Sequence, residues 1–276
     1  MIRRLPKTFL AVSILLTGTM LFTLGCGRPE NVLRIATTTS LRDSGLLDQL
    51  LPIFEKRNNC RVDVVAVGTG AAIKLGEAGD VDAILVHAEE AELAFMQAGH
   101  GVQRHAVMVN YFTILGPQID TAGLKDKTAE HALKTIANKN AVFISRGDDS
   151  GTHKRELAIW KLTGSAPAFE NYLESGQGMG PSLIIAEEKQ GYILSDMGTY
   201  LRMKEKLTLV PLLGESDSLR NPYGAITVNP EKNAKINAPL ANKFLHFLIA
   251  DETQQAIAAY TVEGEALFRP LQIDPK

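Results

Sequence analysis

From residue 32 onward, two hydrophobic patterns alternate along the chain. Short runs rich in Val, Ile and Ala give way to longer stretches in which apolar residues recur every three or four positions. The short runs predict strands and the longer stretches predict helices. In the first part of the chain the predicted elements are strands 32–38, 61–68 and 81–87 and helices 44–58, 71–79 and 88–99. Pro52 lies inside the first helix and is expected to kink or split it.

One long apolar run, residues 106–117, predicts a strand that crosses from one lobe to another. The segment before it, "HGVQRH", is interpreted as a turn. Segment 223–229 is the predicted return crossing. The second set of predicted elements comprises helices 128–139, 150–164 and 181–190, strands 141–146, 191–195 and 207–213, and a final helical region, 238–260, packed on the first lobe.

Alternation of strands and helices predicts an α/β fold built from βαβ units. Two crossings imply two lobes with a hinge and a ligand cleft between them. We expect lobe 1 to comprise residues 32–111 and 220–276, and lobe 2 to comprise residues 112–219.

The N-terminal region follows a different pattern. Residues 1–25 begin with "MIRRLPK" and continue with an apolar stretch, which is typical of a secretory signal peptide. "TLGC" resembles a bacterial lipoprotein cleavage site, so Cys26 is the expected lipidation site and 26–31 a linker. Thr23 departs from that pattern, which prefers leucine there. Cleavage without lipidation and a retained membrane anchor remain alternatives.

Charge excludes one class of partner. Removal of residues 1–25 takes away three of the 29 Lys and Arg residues and none of the 31 acidic residues, which leaves a net charge near −5. Because no basic surplus is present to neutralise phosphates, nucleic acid is not an expected partner.

Cys60 is the one cysteine besides Cys26, so no internal disulfide is expected, and Cys60 is interpreted as a half-buried residue without a special role.

Three strand-to-helix junctions share one composition. The first strand runs into "TTTS" (37–40), the second into "GTGAA" (68–72) and a later one into "SRGDDSGT" (145–152). Each places small hydroxyl residues and flexible backbone at a helix N-terminus, where backbone N–H groups lack partners and the helix dipole is positive, which favours anions. Helix capping by Ser40, Ser44, Asp149 or Ser150 is the structural alternative.

Other chemistries fit less well. "GTGAAI" has Ile73 where a dinucleotide loop needs its third glycine, "GQGMG" (176–180) follows no recognisable strand, and neither a phosphate loop nor a Gly-x-Ser-x-Gly motif occurs. The histidines form no pair with metal-ligand spacing, so no metal site is expected. His153 near Ser150 suggests a nucleophile and base without an orienting acid. Asp196 suits an amino-acid ligand, or it caps the following turn.

Several segments together resemble the tungstate-binding proteins of ABC uptake systems. They are "LRIATTTSLRDSGLLDQLLPIFEK", "VDVVAVGTGAAIKLGEAGDVDAILVHA", "FISRGDDSGTHKRE", "GQGMGPSLIIAEEKQGYILSD" and "NPYGAITVNP", and the similarity extends over about residues 32–270. The resemblance implies a type II periplasmic binding-protein fold, in which two α/β lobes joined by two crossover strands close on tungstate.

The resemblance also implies which residues contact the oxyanion. These are Thr38, Thr39 and Ser40 in the first loop, Thr69, Gly70 and Ala71 in the second, and Arg146, Ser150, Gly151 and Thr152 in the third. Arg146 would supply the only formal positive charge. The others would donate hydrogen bonds without a charge.

The expected protein is a non-enzymatic, monomeric receptor without a cofactor. It would be lipid-anchored on the periplasmic or extracellular face of the membrane and would deliver tungstate to an ABC permease. Alternatives that stay open are receptors for molybdate, sulfate, phosphate or a polar amino acid, a porphobilinogen deaminase-like enzyme on the same scaffold, and an anion sensor.

Overall fold

The computed structural model of the protein describes residues 31–272. The predictions of a signal peptide, of Cys26 lipidation and of most of the linker therefore lie outside the described residues. None of the helices within 31–272 is both long and apolar enough to cross a membrane. The first elements are β1 (Val32–Thr38), α1 (Thr39–Ser44), α2 (Leu46–Asn58), β2 (Arg61–Val67), α3 (Thr69–Ala78), β3 (Ala83–Val86) and α4 (Glu89–Gln97).

The long strand β4 (Gly101–Gly116) introduces the second group of elements. They are α5 (Ala129–Asn138), β5 (Phe143–Ser145), α6 (Gly151–Leu162), β6 (Tyr172–Glu174), α7 (Met179–Lys189), β7 (Tyr192–Asp196), α8 (Met197–Met203) and β8 (Val210–Pro211). The chain ends with β9 (Arg220–Val228), α9 (Ala238–Ile249), α10 (Asp251–Ala259), β10 (Thr261–Val262), β11 (Glu265–Ala266) and β12 (Arg269–Pro270). Single 3₁₀ turns occupy Lys204–Lys206, Asp217–Leu219 and Pro230–Lys232.

Strand β4 belongs to both lobes. The strand order is β2-β1-β3-β9-β4-β7-β5-β6, with β8 and β12 also paired to β4. The stretch of β4 up to Tyr111 pairs with β9, whereas the stretch from Phe112 pairs with β7. β9 begins opposite Tyr111, where β4 changes its partner. Parallel pairs β1–β2, β1–β3, β5–β6 and β5–β7 form the βαβ parts of each lobe, so the carboxyl ends of these strands carry the loops that matter for ligand binding.

Three apolar clusters hold the elements together. One lies under α3 and α4 of the first lobe and includes Ile73, Ile84 and Phe95. Another fills the second lobe around Ile136 and Trp160. The third packs α2 and α9 on the opposite face of the first sheet and continues into α7 and α8 of the second lobe. The lobes therefore share a continuous core on one side of the molecule.

The predicted break of the first helix occurs at Gly45 and not at Pro52. α2 runs through Pro52 without interruption from Leu46 to Asn58. Gly45 adopts a left-handed conformation (φ 84°), and its N–H bonds to the carbonyl of Arg42, which ends α1. A side chain at this position would also lie 2.5 Å from Arg202 Nη2, so glycine suits both the conformation and the space.

Three further predictions about elements are wrong. β4 begins at Gly101, so His105 lies in a strand and "HGVQRH" does not form a turn. The C-terminal helical region is two helices, because Ala250 is extended (ψ 142°). Only Val210–Pro211 of the predicted strand 207–213 pairs in the sheet.

Candidate functional site

The first junction places hydroxyl groups at the end of β1. Thr38 caps α1, because its Oγ1 accepts a hydrogen bond from the N–H of Leu41 at 3.2 Å. The same Oγ1 lies 3.2 Å from Ser40 Oγ. The residue that caps the helix is therefore Thr38 and not Ser40, and the Ser40 hydroxyl stays directed into the same loop.

The second junction has no side-chain cap. α3 begins after Gly68, whose extended backbone offers no hydroxyl or carboxylate to the first N–H groups of the helix. Those N–H groups remain available as donors at the positive end of a ten-residue helix. Thr69 is buried and faces the space between the lobes, whereas Gly70 and Ala71 are exposed. Successive helix residues point about 100° apart, so one residue of the three faces the cleft.

The third junction carries the arginine. Arg146 follows β5, and its Nε donates to the carbonyl of Gln177 at 3.3 Å. Its Nη2 forms an ion pair with Asp148 Oδ2. Ser150 caps α6 by accepting from the N–H of His153 at 3.3 Å, while its own N–H donates to Asp148 Oδ1 at 3.2 Å. The Asp148 carboxylate therefore fixes both the guanidinium and the start of α6.

The pKa of Asp148 reflects these contacts. Partial burial alone would raise it, but hydrogen bonds from Ser150 and the charge of Arg146 outweigh burial and hold the pKa of the carboxyl below its usual range. Asp148 is therefore ionised at neutral pH, and Arg146 sits beside a fixed negative charge.

These junctions meet at one cavity of about 390 Å³ between the lobes. Of the ten predicted contact residues the cavity is lined by Thr38, Thr39, Ser40, Thr69, Arg146, Ser150, Gly151 and Thr152. Gly70 and Ala71 are not brought to its wall. The residues of the wall that were not predicted as contacts are Asp43, Ser44, Val67, Gly68, His87, Gly178, Met179, Gly180, Pro181, Gly198, Thr199, Arg202 and Met203.

A fourth junction contributes the segment "GQGMG". It does follow a strand, the three-residue β6, and α7 begins at Met179 after the extended Gly178, again without a side-chain cap. The N–H groups of a second uncapped helix therefore open on the cavity. β6 is too short to produce a hydrophobic run in the sequence, which is why this junction was not recognised.

Arg202 of α8 is a second guanidinium in the wall. The resemblance implied Arg146 as the only formal positive charge on the ligand, and the structure places the Arg202 guanidinium in the same wall. Within residues 31–272 the Arg202 side chain forms no ion pair with a carboxylate, in contrast to Arg146. The sequence around Arg202, "TYLRMK", does not indicate that this residue lies at the site. Only the packing of α8 against α1 shows that Arg202 faces the cleft.

Asp196 serves as a helix cap. Its Oδ1 accepts from the N–H of Thr199 at 2.8 Å and its Oδ2 accepts from Thr199 Oγ1 at 2.8 Å. Both carboxylate oxygens are used locally at the start of α8. The arrangement therefore favours the capping alternative over a contact for an amino group.

The described residues give little support to a catalytic nucleophile or to a metal site. His153 Nδ1 accepts from the N–H of Asp149, and Ser150 Oγ accepts from a backbone N–H, so the imidazole does not serve as base for this hydroxyl. Residues 31–272 contain no group of three or more His, Cys, Asp or Glu side chains placed to hold a metal ion. Cys60 is half-buried, as predicted, and burial raises the pKa of its thiol.

Comparison with known proteins identifies the family. A family model described as a PBP superfamily domain matches residues 27–252. The chain is 46% identical over 241 residues to the tungstate-binding protein TupA of Peptoclostridium acidaminophilum, with 86% of this chain and 84% of that protein covered. The chain belongs to the TupA family of the PBP superfamily.

Solved structures of TupA-type proteins agree with this assignment. The tungstate-binding protein TupA from Desulfovibrio alaskensis G20 superposes with a TM-score of 0.81 at 43% identity, covering 87% of this chain and 98% of that one. The tungstate ABC transporter structure from Geobacter sulfurreducens gives 0.78 at 50% identity, covering 84% and 100%. The predicted fold class, a two-lobed α/β periplasmic binding protein, is confirmed.

Proposed function

We propose that this chain captures tungstate in the cavity between its lobes and delivers it to the permease of an ABC uptake system. The observation that carries the proposal is the convergence of four strand-to-helix junctions and two guanidinium groups on one cavity. The names of its TupA relatives support the choice of tungstate. No step of this function requires the chain to break or form a covalent bond.

The donors in the wall suit a tetrahedral dianion. Nanomolar binding corresponds to about −12 kcal/mol, and one charge-assisted hydrogen bond contributes about 1.5–3 kcal/mol net, so about six to eight donors must converge after association costs. Hydroxyl groups are supplied by Thr38, Thr39, Ser40, Thr69, Ser150 and Thr152. The uncapped first turns of α3 and α7 add N–H groups. Most of these donors are neutral, so the ion can leave again without the separation of several ion pairs.

Arg146 has a specific part in this mechanism. Its Nε and one Nη are held by the Gln177 carbonyl and by Asp148. A guanidinium offers five N–H donors, so donors remain for the oxyanion while these two contacts fix its plane. Because Asp148 offsets much of the charge of Arg146, we assign to Arg202 the uncompensated positive charge that attracts the dianion.

Delivery to a permease requires two lobes that move. We place the boundary where β4 changes its partner, so that residues 32–111 with 220–276 close on residues 112–219. Attachment to the membrane through a lipidated Cys26, a monomeric state and an extracytoplasmic location complete the proposal.

The proposal is tested by removal of the guanidinium. Arg146→Ala should weaken tungstate binding by about 100-fold or more in titration calorimetry, because it removes a charged donor and leaves Asp148 without its partner. Arg61→Ala is the matched control, since Arg61 is an exposed, ion-paired residue at the start of β2. Equal affinity of both variants and wild type would exclude Arg146 from the site.

A panel of oxyanions tests the choice of ligand. Tungstate should raise the melting temperature of the wild-type chain, since a ligand that binds only the folded state stabilises it. Molybdate has nearly the same size and charge and is the second candidate. Phosphate at neutral pH carries a proton that needs an acceptor. Asp148 is already engaged by Arg146 and Ser150, and Asp43 of the cavity wall forms an ion pair with Arg42. We expect no displacement of tungstate by phosphate; displacement would favour a phosphate receptor.

A further inference from the structure

His87 lies between two cavities. It follows β3 and lines both the oxyanion cavity and a second cavity of about 730 Å³ behind it. Its ring packs on Tyr223 of β9 with 4.8 Å between centroids. The imidazole therefore forms part of the floor of the cleft, beside the strands that join the lobes.

The hydrogen bonds of the hinge strands fix the tautomer of His87. Asn221 Nδ2 donates to Asn110 Oδ1 at 2.7 Å, which orients the Asn221 amide so that its Oδ1 faces His87 Nδ1 at 2.9 Å. Because an amide oxygen only accepts, Nδ1 must carry the hydrogen. In the neutral ring Nε2 is then a bare lone pair, which repels the oxygen of a dianion. In the imidazolium form Nε2 becomes a charged donor.

Nε2 has no hydrogen-bond partner among residues 31–272. The buried side-chain atoms that lack a partner do not include Nε2, so this nitrogen is not buried. It therefore reaches accessible space. The adjacent Cε1 edge lies against the oxyanion loops, since a methyl group added at Gly151 would lie 2.9 Å from His87 Cε1 and 3.5 Å from Thr69 Oγ1. Gly151 and Thr69 are both residues of the cavity wall.

Charged groups of both signs surround His87. Burial is the main cause that lowers the pKa of the imidazole, and Arg146 lowers it further, while Asp196 and the Asn221 contact oppose them. On the side of the second cavity the charged residues are Glu89, Glu90, Lys154 and Arg155. A bound dianion adds two negative charges beside the ring and favours the protonated form.

We propose that His87 is a further contact of the oxyanion and that the site takes up one proton, on His87 Nε2, when the dianion binds. Binding converts the ring from neutral imidazole to imidazolium, and Nδ1–H keeps its bond to Asn221. The inference rests on the proposed oxyanion function and adds to it a dependence of affinity on pH.

Calorimetry in two buffers of different ionisation enthalpy, neither of them an oxyanion, measures the protons taken up. Free tungstate stays a dianion between pH 7 and pH 9, so any proton must go to the protein. Wild type should take up close to one proton per tungstate ion. Its Kd should increase by up to tenfold per pH unit as the pH rises from 7, until the pKa of His87 in the complex is passed.

Two variants assign the proton. His87→Asn keeps an N–H donor for Asn221 and removes Nε2, so it should bind tungstate more weakly at pH 7, with no proton uptake and a flat pH dependence. His246→Asn, an exposed change on α9, should behave as wild type.

Tungstate binding by wild type without proton uptake would overturn the inference and leave the proposed function intact, whether or not the variant folds. Persistent uptake in His87→Asn would place the proton elsewhere and equally overturn it. Failure of wild type to bind any oxyanion would instead reject the proposed function.

Discussion

A single buried side chain behind the oxyanion loops, Glu156, makes the stability of the protein depend on pH. Glu156 of α6 is 1% exposed, and its Oε1 accepts from Tyr172 OH at 2.7 Å and from Trp160 Nε1 at 3.3 Å. Burial raises the pKa of this carboxyl to about 7, against the partial compensation of these bonds. Glu156 is thus protonated in the folded protein over a pH range in which it is ionised in the unfolded chain.

This pKa predicts how stability changes with pH. A raised folded-state pKa contributes stability that is complete below the unfolded value of 4.5 and is lost as the pH rises through about 7. Glu156→Gln keeps an acceptor and cannot ionise. The variant should therefore match wild type near pH 5 and exceed it by about 2 kcal/mol in free energy of unfolding at pH 8, measured by urea denaturation.

Glu188→Gln, an exposed change on α7, serves as the control and should not alter the difference between the two pH values. A Glu156→Gln variant that is equally destabilised at pH 5 and pH 8 would show that the carboxyl is ionised in the folded state at both.

The sequence was informative for residues whose role follows from their place at a strand end. Thr38, Thr69 and Ser150 were predicted at the cavity because hydroxyl residues at the start of a helix have a defined chemistry. His87 and Arg202 were not predicted as contacts. His87 stands at the end of a predicted strand, but its loop lacks the hydroxyl residues by which the other loops were selected. The position of Arg202 depends on the packing of α8 against α1, which no local pattern reports.

Among the elements, β4 and β9 pack closely against each other within the first lobe. Gly224 of β9 lies opposite Ala106 of β4 and beneath the buried Glu92 of α4. Glu92 is held by Arg104, whose Nε donates to Oε2 at 2.9 Å, and by the N–H of Ala88. A Cβ atom at Gly224 would overlap Glu92 Oε2, so this glycine is required by space and not by its conformation.

Gly224→Ala should therefore disrupt a buried ion pair. We expect the free energy of unfolding to fall by about 3 kcal/mol in urea denaturation, since neither the strand backbone nor the paired carboxylate can move freely. Gly214→Ala, where a Cβ meets nothing within 4 Å, should change it by less than about 0.5 kcal/mol. Similar losses in both variants would contradict this account of the packing.

Long, periodic elements were predictable and short ones were not. α2, α5 and β4 carry strong patterns, whereas β6 has three residues and β8 has two. The wrong expectation for Pro52 has a related cause. A rule about one residue predicted a broken helix, but apolar packing of Leu46, Leu50 and Phe54 on the core keeps α2 continuous, and the break lies at Gly45.

In the whole molecule, the distance between the two lobes is limited where His87 faces Gly151. His87 belongs to the first sheet and Gly151 opens α6 of the second lobe. Gly151→Ala would place a methyl group 2.9 Å from His87 Cε1 and hold the lobes apart. We expect tungstate affinity to fall by about tenfold or more in titration calorimetry, while the unfolding free energy without ligand changes little.

Gly70→Ala is a matched control for this prediction. Gly70 occupies the first turn of α3, its added Cβ would meet nothing within 4 Å, and alanine keeps the backbone N–H. Its affinity should equal that of wild type. An effect of Gly70→Ala as large as that of Gly151→Ala would mean that the second loop contacts the ion differently.

We propose that one tetrahedral dianion is bound where the junctions of both lobes converge. Anomalous scattering from tungsten, recorded on crystals grown with equimolar tungstate, tests it most directly. We expect one peak per chain in the cavity, within hydrogen-bonding distance of Arg146 and of hydroxyl groups from both lobes. A peak at another place on the molecule, or none in the cavity, would contradict it.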